Sequence, residues 1–404
     1  MRNTLKALTA ALLAAGLVAH AGAQQLRPEI GKPLQQAGEL LKAGKAKEAL
    51  AKVREADAVG NKTAAEQLTI DRMRGAAAQR AGDTQAAINA FESVYASGKL
   101  SGAEQAQVAE SLAFAYSQAK NWAKTGEWAQ KAKAAGSNSA QLNQLIAYVQ
   151  AQSGDYAAVA RDAGAAVAAA EQAGRKPAED DLLRLADAYQ RTNNAAGHAT
   201  ALEKLILHYP KKDYWSAYLN NVQRKPGFSS RLSLDVMRLK LANGLITTTE
   251  QYMEMAQLSL QAGLPDEAKA IVDKGFASGA LGTGAEAERH KRLRDLVLKQ
   301  QEETKAGLAK AETEAAAAKD GNELVKVGTV YASMGQADKG AGLIEKGIAK
   351  GSLKRPEDAK LRLGWAQLQS PATRAKGLQT LRSVGGNDGT AEIARAWAAL
   401  ARQG

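Results

Sequence analysis

A disulfide, a thiolate metal site and a lipid-attachment cysteine are all excluded, because the 404 residues include no cysteine. Histidine is nearly as scarce. Of four, His20 falls in an N-terminal leader, and His198, His208 and His290 are too far apart in sequence to form a local ligand pair. That leaves no basis for a structural zinc site. Aromatic residues make up only 5% of the chain. No long stretch alternates apolar and polar residues in β-branched company, so strand signals are lacking. Phosphate-loop, nucleophile-elbow and H-E-x-x-H patterns are missing. Gly279, Gly282 and Gly284 have the wrong spacing for a dinucleotide loop. Glu286 and Glu288 lie among Arg and Lys, as a solvated helix face would, and do not suggest an acid/base pair. No enzyme activity, coenzyme or metal is implied.

Long apolar runs are confined to the beginning. Arg2 and Lys6 give a basic start, Ala7 to Val18 is apolar but too short to span a bilayer, and Ala21-Gly22-Ala23 supplies a small-x-small site. Residues 1–23 therefore read as a secretory signal peptide cut before Gln24, which implies a periplasmic or secreted chain. Further on, Lys, Arg, Asp and Glu interrupt every helical pattern, so no transmembrane segment is expected. The net charge is +12, and loss of Arg2 and Lys6 leaves +10. Such an excess favours anionic partners, whether acidic proteins, lipid headgroups or polyanionic glycans, although it also serves solubility alone. Nucleic acid is not implied, since basic and aromatic residues do not interleave.

What the chain does contain is a lattice of small residues around glycines. Ala37-Gly44-Ala49 is followed by Gly75-Gly82-Ala87, then by Ala147-Gly154-Val159, Ala256-Gly263-Ala268 and Gly328-Gly335-Gly340. Each set places a small residue seven before the glycine and a small or slender one five after. Gly44 and Gly82 are 38 apart, and Gly82 to Gly154 and Gly263 to Gly335 are each 72, or two units of 36. A period in the thirties with helical patterns on both sides of a turn glycine predicts stacked helical hairpins.

The second hairpin shows the logic. Gln67 to Arg80 is its first helix, Gly82 ends it, Asp83 caps the next, and Ala87, Ile88, Phe91 and Val94 form that helix's apolar stripe. Hairpins follow at roughly 30–60, 63–98, 102–136, 138–174 and 178–210, with Lys120-Asn121 and Asn193-Asn194 as turns in the third and fifth. The lattice breaks at 211–247, where an aromatic helix (Tyr214, Trp215, Tyr218), Pro226-Gly227 and a helix from Leu232 to Leu241 read as an irregular basic joint. Regular hairpins return at 248–280, 321–351 and 356–384. A charged stretch at 285–318 reads as a long helix pair or one partly exposed arm. Thr390 to Arg402 reads as a capping helix. The domain plan is thus a leader at 1–23, hairpins at 24–210, a joint at 211–247 and hairpins at 248–404, with the capping helix at 390–402.

These units resemble tetratricopeptide repeats of exported proteins from the Gram-negative envelope. Ala186, Tyr189, Leu202 and Pro210 match that family's pattern in one unit, Gly328, Tyr331, Gly340 and Ile344 in another, and Ala37, Leu40, Ala49 and Val53 in a third. The units are degenerate: the first-helix tryptophan is absent, and Thr125 and Val159 stand where a small residue follows the turn. The resemblance implies an all-α, right-handed α-solenoid of about nine hairpins with a C-terminal capping helix. It also implies a concave groove, lined by first helices, that binds peptides or proteins. The run Leu207 to Trp215 also looks like a segment of some exported repeat proteins, some of which accompany TonB-type energy-transducing systems; Tyr214, Trp215 and Tyr218 read more simply as ordinary core of an irregular unit.

By spacing, the first-helix faces free to line such a groove include Arg72, Gln79, Arg80, Gln107, Glu110, Phe114, Gln144, Tyr148, Gln152, Asp187, Gln190 and Arg191. In the basic joint, Lys211, Lys212, Arg224 and Lys225 are candidates for contact with an acidic partner or anionic surface. Two functions of different class follow: a non-enzymatic scaffold binding protein segments in its groove, or a structural envelope protein that self-associates or lies against peptidoglycan or lipid. The lattice itself makes a point test. Ala87 should sit where its two helices meet, and enlarging a small buried residue costs about 1–3 kcal/mol. Ala87→Leu should therefore lower the melting temperature and Ala96→Leu should leave it nearly unchanged.

Overall fold

The computed structural model describes residues 26–403, so the expected leader lies outside them. Among the described residues are twenty α-helices and a 3-10 turn at Ser230–Leu232, and no strand. The chain forms two compact units, one up to Val159 and one from Ala160. The division falls inside α8 (Tyr156–Gln172), not at the lattice break near 210.

The first unit contains α1 (Pro28–Lys42), α2 (Ala46–Asp57), α3 (Ala64–Ala81), α4 (Thr84–Ala96), α5 (Gly102–Gln118), α6 (Trp122–Ala134) and α7 (Ala140–Gln152). Each packs on the next in chain order, as in an α-solenoid. Local chemistry sets the helix ends. Thr63 with Glu66 and Ser101 with Glu104 form capping boxes that start α3 and α5. Asp83 and Asn121 accept from the backbone N–H of Ala86 and Lys124 to start the partner helices. Gly82 closes α3 at φ 77°, and Lys120 holds the equivalent turn at φ 58°. The lattice residues are at the crossings. Ala37, Ala49 and Ala87 are fully buried whereas Ala96 is exposed, and a Cβ on Gly75 would come within 2.4 Å of the Phe91 ring.

The second unit contains α9 (Glu179–Arg191), α10 (Ala195–His208), α11 (Lys212–Arg224), α12 (Ser233–Ala242), α13 (Thr249–Gln261), α14 (Pro265–Ala277) and α15 (Ala287–Ala317). It continues with α16 (Asn322–Ser333), α17 (Ala337–Lys350), α18 (Pro356–Leu368), α19 (Arg374–Arg382) and α20 (Thr390–Leu400). Hairpins recur as α9/α10, α13/α14, α16/α17 and α18/α19. Of the two readings of 285–318, the single partly exposed arm is the one observed: α15 is one helix of 31 residues. No proline or turn sequence interrupts it, and its buried seam of His290, Leu293, Val297, Leu308 and Ala315 runs on at helical spacing.

The larger departure is that this unit closes on itself. Helix α20 covers α18 and α19, as a cap should, and also packs on α10 and α12. Trp215, Tyr218, Leu219, Leu232, Val236 and Leu239 share one core with Ile393, Ala394, Ala396 and Ala399. Polar contacts follow the same path. The Tyr218 hydroxyl donates to the Glu392 carbonyl at 2.9 Å, the Ser229 N–H to the Asp388 carbonyl at 3.0 Å, and the Gln403 amide to the Ile206 carbonyl at 3.0 Å. Arg231 pairs with Asp358 at 2.7 Å and with Asp388 at 2.6 Å. The segment at 211–247 is therefore core of this unit. Its aromatic stripe needs an apolar face to lie on, and α20 supplies one.

Helix α12 also carries a buried ionic set. Arg238 is only 4% exposed, stacks 4.2 Å from the Trp365 ring, and pairs with Asp235 at 3.0 Å and Glu267 at 2.6 Å. Arg362 of α18 also bonds Asp235. Two cations face two anions, so removing one member would strand a buried charge, at a cost of about 3–5 kcal/mol.

Asp388 gives a pH test of the closure. The Thr390 hydroxyl and then Arg231 hold its carboxyl well below the usual carboxylate range, against an opposing effect of burial. A depressed carboxylate contributes stability above its ordinary pKa of about 4 and loses it as the pH falls further. Thermal melts at pH 7 and pH 3 should therefore differ less in Asp388→Asn than in the parent.

Candidate interaction surface

Among the described residues, two crevices on the first unit each take in part of the face expected to line a groove. The first lies over α3, α4 and α5. The capping boxes at Thr63 and Ser101 fix where α3 and α5 begin, which sets Arg72 opposite Glu104 at 3.2 Å. The Ser101 backbone N–H is the main reason the Glu104 carboxyl sits below its usual range. Arg72 and Gln107 line this crevice together, with Phe91, Leu100 and Val108 as its apolar wall. The Arg72 Nε is buried without a hydrogen-bond partner.

The second crevice lies between α6 and α7. Asn121 caps α6 and so places Trp122 at its first position. Trp122 and Tyr148 meet edge-to-face, with ring centroids 5.3 Å apart. Trp122, Gly126, Val149, Gln152 and Ser153 line the opening. Tyr148 remains 40% exposed, and Gln144 and Gln152 are exposed on the same helix. Spacing alone did not single out Trp122 or Gly126. The available signal was a tryptophan three before buried Thr125, on the stripe that continues through Trp128, Ala129 and Ala132.

Other candidates have structural duties. Arg80 donates to the Leu41 carbonyl at 3.2 Å, supporting the last turn of α1. Glu110 accepts from the Ser137 and Ser139 hydroxyls at 2.6 and 2.5 Å, which ties down the loop before α7. Phe114 packs on the core of the first unit. Gln79 is half-buried at the end of α3. In the second unit, Asp187 and Arg191 pair at 3.2 Å along α9, with Gln190 exposed beside them.

The basic segment is largely neutralised from within. Lys211 pairs with Glu179 at 2.6 Å. The Tyr214 hydroxyl donates to the same carboxylate, which, with burial, pushes its pKa up to about 12. Lys225 pairs with Glu392, Lys240 donates to Gln223 at 2.9 Å, and burial lowers the Lys240 pKa. Arg231 and Arg238 are paired as above, while Lys211, though paired, stays exposed together with Lys212 and Arg224. Among the described residues, no group of three or more His, Asp or Glu side chains could hold a metal, and no helix is long and apolar enough to cross a membrane.

No protein-family profile and no curated protein matches the chain. Solved structures with helical repeats do. A tetratricopeptide repeat protein from Parabacteroides merdae aligns at 12% identity and TM-score 0.36 over 67% of this chain and 99% of its own. Naa15/Naa10 bound to HypK aligns at 13% and 0.39 over 88% of this chain and 58% of that one. The TPR2AB domain of yeast Sti1, in complex with pHSP90, aligns at 15% and 0.31 over 66% and 98%. At these overlaps the likeness carries no argument of its own, and the hairpin architecture stands on the helices of this chain.

Proposed function

We propose that the protein is a non-enzymatic, exported scaffold that binds an extended protein or peptide segment along the first unit. The observation that carries this reading is the α6/α7 crevice, where a partly exposed tyrosine braces a tryptophan beside the amide of Gln152. Aromatic anchors with neighbouring amides suit a peptide, because rings fill pockets while amides bond its backbone. Contact with an anionic surface, one arm of the structural-envelope alternative, would draw on the basic residues at 211–247, and Lys211, Lys225, Arg231 and Arg238 are paired within the chain.

Changing Tyr148 and Gln152 together to Ala tests the site with two exposed residues, so the fold should be kept. Crosslinking with mass spectrometry on intact cells should then lose the partners that attach near α6 and α7, with the circular dichroism spectrum unchanged. An unaltered partner set would refute the assignment. Export has its own check: the mature protein, recovered from the cell envelope or medium, should begin at Gln24.

A further inference from the structure

Helix α15 presents one flank whose charged residues pair, among the described residues, only along their own helix and its cap. Arg289, Leu296, Gln300, Glu303, Gly307 and Glu314 lie along it, all exposed except half-buried Gln300, while the buried seam faces elsewhere. Their intervals are seven, four, three, four and seven, the heptad spacings of a helix–helix seam, and they read the same in both directions. Leu296 is 45% exposed, more than Tyr148, Leu183 or Leu298, the other large apolar residues left in solvent among those described.

Gly307 is the second observation. Glycine is a poor residue in the interior of an exposed helix, and it survives there when something must come close. Among the described residues nothing does: a Cβ on Gly307 would meet no atom within 4 Å. Its φ is not positive either, so no turn requires it.

Charge order is the third. The flank is basic at its start and acidic at its end, against the preference of the helix dipole. About the midpoint between Gln301 and Glu302, Arg289 mirrors Glu314, Leu296 mirrors Gly307, and Gln300 mirrors Glu303. Arg292 and Lys310 lie further round the helix, toward solvent. Arg289 pairs with Glu286 at 3.2 Å and Glu314 with Lys310 at 3.8 Å in the same chain, both highly exposed and therefore weak.

We propose that α15 is a homodimer interface, in which two copies pair antiparallel about a twofold axis at that midpoint. Leu296 of each copy then fills the gap over Gly307 of the second copy, Arg289 faces Glu314, and the Gln300 amide donates to Glu303. An isologous contact demands this self-complementarity, which a different partner would not.

Sedimentation equilibrium of the full chain should show a monomer–dimer equilibrium. Gly307→Gln fills the gap with a better helix former, so it should abolish the dimer while raising the melting temperature, an effect no folding defect would produce. Arg289→Glu and Glu314→Arg should each weaken the dimer about tenfold or more in Kd, and the double variant should restore it, since each charge meets its swapped counterpart. A chain that stays monomeric at its highest soluble concentration would overturn the proposal. So would a dimer indifferent to Gly307→Gln, or a double variant no tighter than the single ones.

Discussion

Two helices can bring their backbones nearly into contact only where neither carries a side chain at the crossing. The hairpin α16/α17 shows the limit. A Cβ on Gly328 would lie 2.7 Å from the Gly340 carbonyl oxygen, and one on Gly340 would lie 2.5 Å from the Gly328 carbonyl oxygen. In α18/α19, Leu381 occupies the space above Gly364 that a Cβ would need. Such crossings bury little apolar area per residue, and burial is worth roughly 0.8 kcal/mol per CH₂. A hairpin of this composition cannot stand alone. Its large residues, such as Phe91 or Ile344, fill the seam with the partner helix and also share a cluster with the next hairpin, so stability accrues by stacking.

That constraint explains which parts of the fold were legible. The hairpins follow from local rules: a cap, a stripe, a left-handed turn and small residues at fixed offsets. Asn193-Asn194 could be recognised without a glycine, and the structure holds Asn193 at φ 55° with Asn194 capping α10. The closure of the second unit left no such trace. Arg231 meets Asp358 and Asp388 across 127 and 157 residues of chain, and no periodicity encodes a pairing that distant. Likewise Asp235 and Arg238 look in sequence like an exposed i, i+3 pair, and only the three-dimensional meeting of α12, α14 and α18 buries them.

The candidate surface was legible in part, for the same reason. Helical spacing tells which residues avoid the hairpin's own seam, and the structure sets Arg72 with Gln107 along one crevice and Gln152 along another, beside the Trp122 ring that Tyr148 touches. It cannot tell a solvated side chain from one that reaches a neighbouring helix end. Arg80 on the Leu41 carbonyl and Glu110 on two serine hydroxyls are of the second kind. Polar side chains in this fold replace the backbone partners that helix termini lack. A charge at the end of a first helix is therefore as much a mortar between hairpins as a binding group.

Closure also governs the order in which the second unit can form. An open stack of hairpins can start anywhere and grow by neighbours. Here Trp215, Tyr218 and Leu232 share a core with Ile393 and Ala396, at the other end of the unit's sequence. Bringing such remote segments together carries loop-closure entropy and slows folding. A chain emerging N-terminus first must hold that aromatic face unsatisfied until its last helix arrives. Truncating those final residues would remove a wall of the core, where in an open array it would shorten the stack by one repeat.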